Sequence, residues 1–319
     1  MVRPFSTVQQ SPDGEWFSSP ERGSRFMLHL MIWISKKMGR TVGRMVLHLI
    51  AGYFLLFAPS ARVASRGYLT RVLKRRADVR DIYRHFLTFA TTIHDRVYLL
   101  CNEDSPFTIQ SHLSKDVEQA IADMRGALLV GAHLGSFEVL RSVGLKYPGM
   151  PVVMVMYEDN AKKLNATLAG MKTGERPNII PLGRWDTMLR VQEQLEMGAL
   201  VGFLGDRSVG TEKKRIIPFL GELAAWPSGT FRIAALLNRP LYFMAGLYTG
   251  PRHYEIFINQ IADFSSVEKM DQDKAIQDAM LTYVNEVEKY CHMAPYNWFN
   301  FYDFWVKTSN IEVREDHIK

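Results

Sequence analysis

The chain has 319 residues, 47% hydrophobic and 23% charged, which describes a globular protein with ample material for a core. Its two cysteines, Cys101 and Cys291, stand outside any CxxC pair, which argues against a disulfide framework or a zinc site. The net charge of +6 is unevenly spread: Arg22 to Arg76 carries 12 Lys or Arg and no acid, leaving −6 on the remainder. A basic segment on a mildly acidic body asks for a polyanion or an anionic surface as partner.

Residues 1–25 form a polar tail rich in Ser and Pro, without the basic start and apolar stretch of a signal peptide. Residues 26–110 form a basic, apolar helical segment suited to a membrane. It holds Phe26 to Ile34 and the run Met45 to Ala58, whose 14 residues are broken only by His48. As a helix that run is roughly 21 Å long, short of the ~30 Å hydrocarbon core. It is therefore expected to lie in the membrane face, peripheral or monotopic, rather than to span. Lys36, Lys37, Arg40 and Arg44 before it, and Arg62 and Arg66 after it, would sit among anionic headgroups, each contributing about 1 kcal/mol. A buried core helix is the competing reading. A nucleic-acid arm is disfavoured, because long Leu and Phe runs are foreign to such arms and no binding module accompanies this one. Ala77 to Leu100 continues as helix, with Ile82, Phe86, Phe89, Ala90, Ile93 and Val97 at helical spacing. Asn102 to Pro106 breaks the pattern, a helix starts at Ser114, and the α/β body is expected over residues 111–319.

In that body, apolar strands alternate with helices. Strands are expected at Ala127–Ala132, Pro151–Tyr157, Asn178–Leu182 and Ala199–Leu204, and helices at Ser136–Lys146, Asn160–Lys172 and Asp186–Met197. A loop leads to a helix at Thr230–Leu237. Extended stretches at Pro240–Tyr248 and His253–Ile261 and a long helix at Asp271–His292 complete the chain. The pattern predicts an α/β fold with a mixed sheet covered by helices, its chemistry at the carboxyl ends of the strands.

His133 falls at the end of the first of these strands, and Glu138 five residues on. Within one continuous helix the two side chains would diverge by about 140°. With His133 on the loop before the helix, and Gly135 allowing a tight entry, the carboxylate is expected to reach the imidazole. Glu138 would fix the tautomer and His133 would act as general base on an alcohol. Backbone N–H groups at Gly135 and Ser136 are candidate oxyanion donors. No metal is expected, since no His, Cys or carboxylate cluster has ligand spacing. Taken alone, H-x4-E is a weak signal.

Several ordered blocks strengthen it. His133-Leu-Gly-Ser-Phe-Glu138 resembles the H-x4-D/E motif of glycerolipid acyltransferases, particularly the late lipid A acyltransferase branch. Tyr157 to Asn160 is similar to that branch's Tyr-Arg-Pro-x-x-Asn block, and Asp206 to Gly210 to its Asp-Gln-x-x-Gly block. Ile217 to Gly221 with Trp226 to Gly229 resembles its Pro-Phe-Phe-Gly and Thr-x-x-Gly stretch, and Pro295 to Phe299 its Pro-x-x-Trp ending. The resemblance covers roughly residues 80–305. It implies an O-acyltransferase at the cytoplasmic face of a bacterial inner membrane. The donor would be an acyl carrier protein or CoA thioester, the acceptor a lipid hydroxyl, and no cofactor would be needed. Arg207 stands where the branch has Gln, and Glu158 where it has Arg. Those blocks bear on acceptor recognition, so the acceptor is left as a lipid or glycolipid.

Asp206, Arg207 and Arg184 lie at strand ends on the edge expected to hold His133 and are candidate substrate contacts, the arginines for phosphate. Ser228, before a helix, is either part of an anion-receiving helix start or a plain one. Lys213 to Arg215 is either a carrier-protein contact or a solvated run. Two other functions compete. A Rossmann-like nucleotide-dependent enzyme would explain Gly131 and Gly135 between strand and helix, but the G-x-G-x-x-G glycines are absent. A non-catalytic membrane lipid-binding protein would explain the basic segment alone.

Overall fold

The computed structural model describes residues 25–101, 106–123, 125–139, 151–157, 178–207 and 212–306. The expected tail before residue 25, the helix Asn160–Lys172, and the blocks beyond Tyr157 and Arg207 fall outside them.

Helix α1, Arg25–Phe57, turns at Gly39, whose φ of 76° and ψ of 172° belong to glycine. From there to Phe57 the helix runs 19 residues, roughly 28 Å at 1.5 Å per residue. The reach is longer than the apolar run suggests, because Arg40 and Arg44 interrupt the hydropathy without interrupting the helix. By length and composition this segment can cross a membrane. One face of the helix is packed against the body and the other is left apolar and exposed. Gly43, Leu47 and Ala51, four residues apart, are buried. A Cβ on Gly43 would lie 2.5 Å from His94 Nε2, so only glycine permits this approach. On the outer face Met45, Leu49, Tyr53, Leu56 and Phe57 are 57–74% exposed.

Helix α2, Pro59–Val72, starts with a proline where no N–H is needed. Helix α3, Val79–Cys101, buries Ile82 and Phe86 as its spacing predicts. Arg40 of α1 grips the buried Asp95 of α3 with both arms of its fork, at 3.0 and 2.9 Å. Tyr254 O–H donates to the same carboxylate at 3.1 Å.

Strand β1, Thr108–Leu113, starts before the boundary expected near residue 110, and helix α4, Lys115–Ala122, follows it. Next come β2 (Ala127–Gly135), β3 (Val152–Tyr157), β4 (Asn178–Leu182), α5 (Thr187–Glu196) and β5 (Leu200–Leu204). The stretch read as a loop is a hairpin of β6, Lys214–Phe219, and β7, Glu222–Pro227. Its two-residue turn, Leu220-Gly221, has φ of 50° and 85°; with Leu where Asn or Asp usually signals such a turn, it escaped the reading. Helix α6 (Gly229–Leu236), strands β8 (Pro240–Gly250) and β9 (His253–Asp263) and helix α7 (Gln272–Met293) complete the order.

The main sheet runs β1-β9-β8-β2-β5-β3-β4. The five strands from β8 to β4 are parallel, while β9 and β1 run against them, so the sheet is mixed. Alternate residues feed two cores, as a two-sided sheet requires. Leu128 and Val130 of β2 join Leu241 and Phe243 of β8 in the core under α5, α6 and α7. Leu129 joins Tyr242 and Met244 in the core with Val117 and Ile121 of α4 and Leu99 of α3. The larger core also takes in Ala51, Tyr68 and Ile82, so the N-terminal helices share it with the sheet.

Candidate active site

Parallel pairing of β2 with β5, in register from Ala127↔Leu200 to Gly131↔Leu204, brings both carboxyl ends to one edge. Beyond Leu204 the ladder adds one rung, Gly205 N–H to the Gly131 carbonyl at 2.8 Å. A Cβ on Gly205 would meet Val130 Cγ2 at 2.6 Å, so glycine keeps the strands close here. The chain then presents Asp206 across to β2.

His133 lies inside β2 and not on a loop after it. The β2–β8 register shifts between Gly131 and Gly135, and past this bulge the strand pairs with the segment after α7. Phe299 N–H donates to the His133 carbonyl at 2.7 Å, and Gly135 N–H to the Asn297 carbonyl at 2.8 Å. Gly135 takes φ of 70°, and a Cβ there would sit 2.0 Å from the Gly246 oxygen. Asn297 also braces β8, accepting from Tyr248 N–H at 2.8 Å and donating to its carbonyl at 3.1 Å.

The carboxylate that meets the imidazole is Asp206, not Glu138. Asp206 Oδ1 is 2.8 Å from His133 Nδ1, and Oδ2 accepts the His133 backbone N–H at 3.0 Å. Trp298 Nε1–H makes a longer third contact to Oδ2 at 3.4 Å. Burial pushes the Asp206 carboxyl up, but His133 and Arg207 more than offset it and bring it to about 2. An ionised carboxylate only accepts, so Nδ1 carries the proton and Nε2 holds the lone pair. Burial, with the nearby charge of Arg207 and a smaller one from Arg96, holds the imidazole below its usual range against the pull of Asp206. The ring is therefore neutral near pH 7. Its side chain is 31% exposed, whereas that of Asp206 is 1% exposed.

Glu138 sits in a short 3-10 turn, Phe137–Val139, and faces elsewhere. Its Oε1 is 2.7 Å from Arg96 Nε, and its Oε2 accepts Ser136 O–H at 2.9 Å. The strand runs on to Gly135, past its expected end at Ala132, so His133 is held in the sheet and not on a loop free to turn towards Glu138. The expected oxyanion donors are also occupied: Gly135 N–H bonds Asn297, and Ser136 N–H donates to the Gly246 carbonyl at 2.7 Å. For the same reason these amides cannot cradle a pyrophosphate, which removes the Rossmann-like reading.

Arg207 is brought to the site. Its Nη2 donates to the Phe299 carbonyl at 2.7 Å and its guanidinium lies 5.6 Å from the Tyr302 ring. Arg184 follows β4, three strands from β2, and pairs with Asp186 at 3.4 Å. Ser228 is buried at the base of the hairpin, its hydroxyl donating to the Lys213 carbonyl at 2.9 Å. The start of α6 already holds an anion, since Glu212 Oε1 accepts Gly229 N–H at 2.5 Å. Neither Arg184 nor Ser228 is brought beside His133. Asn297, Trp298 and Arg96 were not singled out from sequence. The Pro-x-x-Trp block pointed at the first two, while Arg96 belonged to a helix read only for its apolar face.

A search of curated proteins finds no match to this chain. Residues 15–307 match the family model described as bacterial lipid A biosynthesis acyltransferase. The chain belongs to that family and is an acyltransferase.

Proposed function

Starting from that membership, we propose that the protein moves a fatty acyl group from an acyl carrier protein or CoA thioester to a hydroxyl of a lipid or glycolipid, with His133 as general base. One observation carries the reading: Nδ1 is tied to an ionised acid while the ring's other nitrogen stays on a partly open side chain. Nε2 takes the acceptor hydroxyl's proton as its oxygen attacks the thioester carbonyl, and later returns the proton to the leaving thiolate. Asp206 fixes the ring and stabilises the imidazolium, the role expected of Glu138. General-base help of this kind contributes roughly 10²–10⁴-fold in rate. Arg207 is placed to meet a phosphate on either substrate.

The outer face of α1 supports a bilayer as the working surface, on the cytoplasmic side of a bacterial inner membrane. Five large apolar side chains left in solvent on one helix face are costly in water and favourable at an acyl boundary. The opposite face of α1 is packed on α3, which favours a helix lying along the membrane over one passing through it.

Purified protein given acyl-CoA or acyl carrier protein thioester with extracted bacterial lipids should release thiol and yield a lipid heavier by one acyl group in mass spectrometry. The variant His133→Ala should do neither while keeping its fold; equal turnover in variant and parent would end the proposal. Replacing Leu49, Tyr53 and Leu56 together with Ser should abolish co-sedimentation with anionic vesicles. Persistent sedimentation would remove the membrane face assigned to α1.

A further inference from the structure

With the Gly135 and Ser136 amides both closed onto carbonyls, the oxygen that becomes negative on a thioester under attack needs a different donor. The acid of the H-x4-E motif is likewise without its expected partner and points at a guanidinium. We infer that Arg96 supplies the charge that stabilises this oxyanion, and that Glu138 serves as its anchor. The inference rests on the acyl-transfer reading above.

The ion pair is held at its root and open at its tip. Glu138 is 6% exposed and fixed by Ser136 on one oxygen and Arg96 Nε on the other, whereas the Arg96 side chain is 40% exposed. Glu138 meets the guanidinium as an ion pair at Nε, and the two terminal nitrogens of the planar fork, without a hydrogen-bond partner among the described residues, can meet a substrate oxygen. The helix beneath is pinned one residue earlier, where Arg40 and Tyr254 hold Asp95, so the donor is positioned before substrate arrives. Arg207, the other guanidinium near the ring, has Nη2 committed to the Phe299 carbonyl. The Arg96 charge is also felt at His133.

In the step, the acceptor O–H proton passes to His133 Nε2 as its oxygen bonds the carbonyl carbon. The carbonyl pair moves onto oxygen, where Arg96 balances it. Collapse restores the C=O bond and breaks C–S, and the thiolate leaves with the proton from Nε2. No further reactant is required.

Kinetics of Arg96→Gln, Arg96→Lys and Glu138→Gln with dodecanoyl-CoA and vesicles of bacterial polar lipids test this, thermal melts establishing folding. Arg96→Gln should lower kcat roughly 10²–10³-fold, the usual effect of deleting an oxyanion donor, with KM nearly unchanged. Arg96→Lys, which keeps the charge and loses the fork, should fall between it and the parent. Because a positive charge is removed from beside His133, the acid limb of the rate profile in Arg96→Gln should move to higher pH. Should Arg96→Gln fail to fold, the intermediate loss of kcat in Arg96→Lys, with activity restored to Arg96→Ala by added ethylguanidinium, serves instead. Unchanged kcat in the folded arginine variants, or a rise in KM alone, would overturn the assignment while leaving His133 as base. Glu138→Gln crippling the enzyme while Arg96→Gln does not would return the motif acid to the imidazole. No thiol release by the parent would sink the acyl-transfer reading itself, and this inference with it.

Discussion

Two histidines in this molecule have similar neighbours and opposite prospects. His85 lies between the Ser65 hydroxyl, 2.8 Å from Nδ1, and the Trp298 carbonyl, 2.9 Å from Nε2. His133 has Asp206 on Nδ1 and part of its side chain open. A serine beside a histidine looks like nucleophilic machinery, yet both ring nitrogens of His85 are spent and the residue is fully buried. Its Nε2 must donate to the carbonyl, so Nδ1 accepts from Ser65 and no base remains. What separates the reactive ring from the structural one is a spare lone pair with access to substrate, not the identity of the neighbours. His85 still serves the site at one remove, because the Trp298 it holds also touches Asp206.

The contrast can be broken most sharply at Asp206. Asp206→Asn keeps the shape and removes the charge that fixes the ring, and should cost roughly 10²–10⁴ in kcat, measured by thiol release. A near-normal rate would mean the ring needs no acid on Nδ1. Asp95→Ala is the next largest: it strands Arg40 in a buried setting and should cost about 3–5 kcal/mol in urea unfolding. A loss below about 1 kcal/mol would show that α1 is held by its apolar face alone.

At His85 the expected effect is on stability and its pH dependence. Burial lowers its pKa from 6.5 to about 4. Between those values the unfolded chain binds a proton that the native chain refuses, so stability falls as pH drops through this window. Unfolding of His85→Gln should follow a flatter course from pH 6.5 to 4, with kcat of the folded protein within about twofold of the parent. A slope identical to the parent's would show that other groups govern acid sensitivity. The smallest effect belongs to Ser228→Ala, which removes one buried hydroxyl bond and should cost about 1 kcal/mol without altering kcat. A kcat loss there would restore Ser228 to the substrate site.

Much of the fold was legible because its signals are local. The apolar run around Leu128 to Val130 and the spacing of α3 declared a strand and a helix without outside help. Strand order is not local. That β5 lies beside β2, and so delivers Asp206 to His133, depends on which strands cross over, a choice absent from any short window. Distance along the chain therefore favoured Glu138, five residues away, over Asp206, seventy-three residues away, although pairing reverses their order in space. The edge strand β1 was missed because its half-exposed residues, Thr108 to Leu113, carry a weak hydrophobic alternation. The α1 apolar run was correctly located but read too short, since arginines lower hydropathy without ending a helix.

The strip at residues 297–299 has a consequence for synthesis. It closes the backbone around His133 and supports Asp206, yet it emerges from the ribosome after every strand of the sheet and after α1. A nascent chain can fold its helices and reach a surface while its base is still unassembled. Competence for chemistry thus waits on a segment made after the whole sheet, the one that completes the corner.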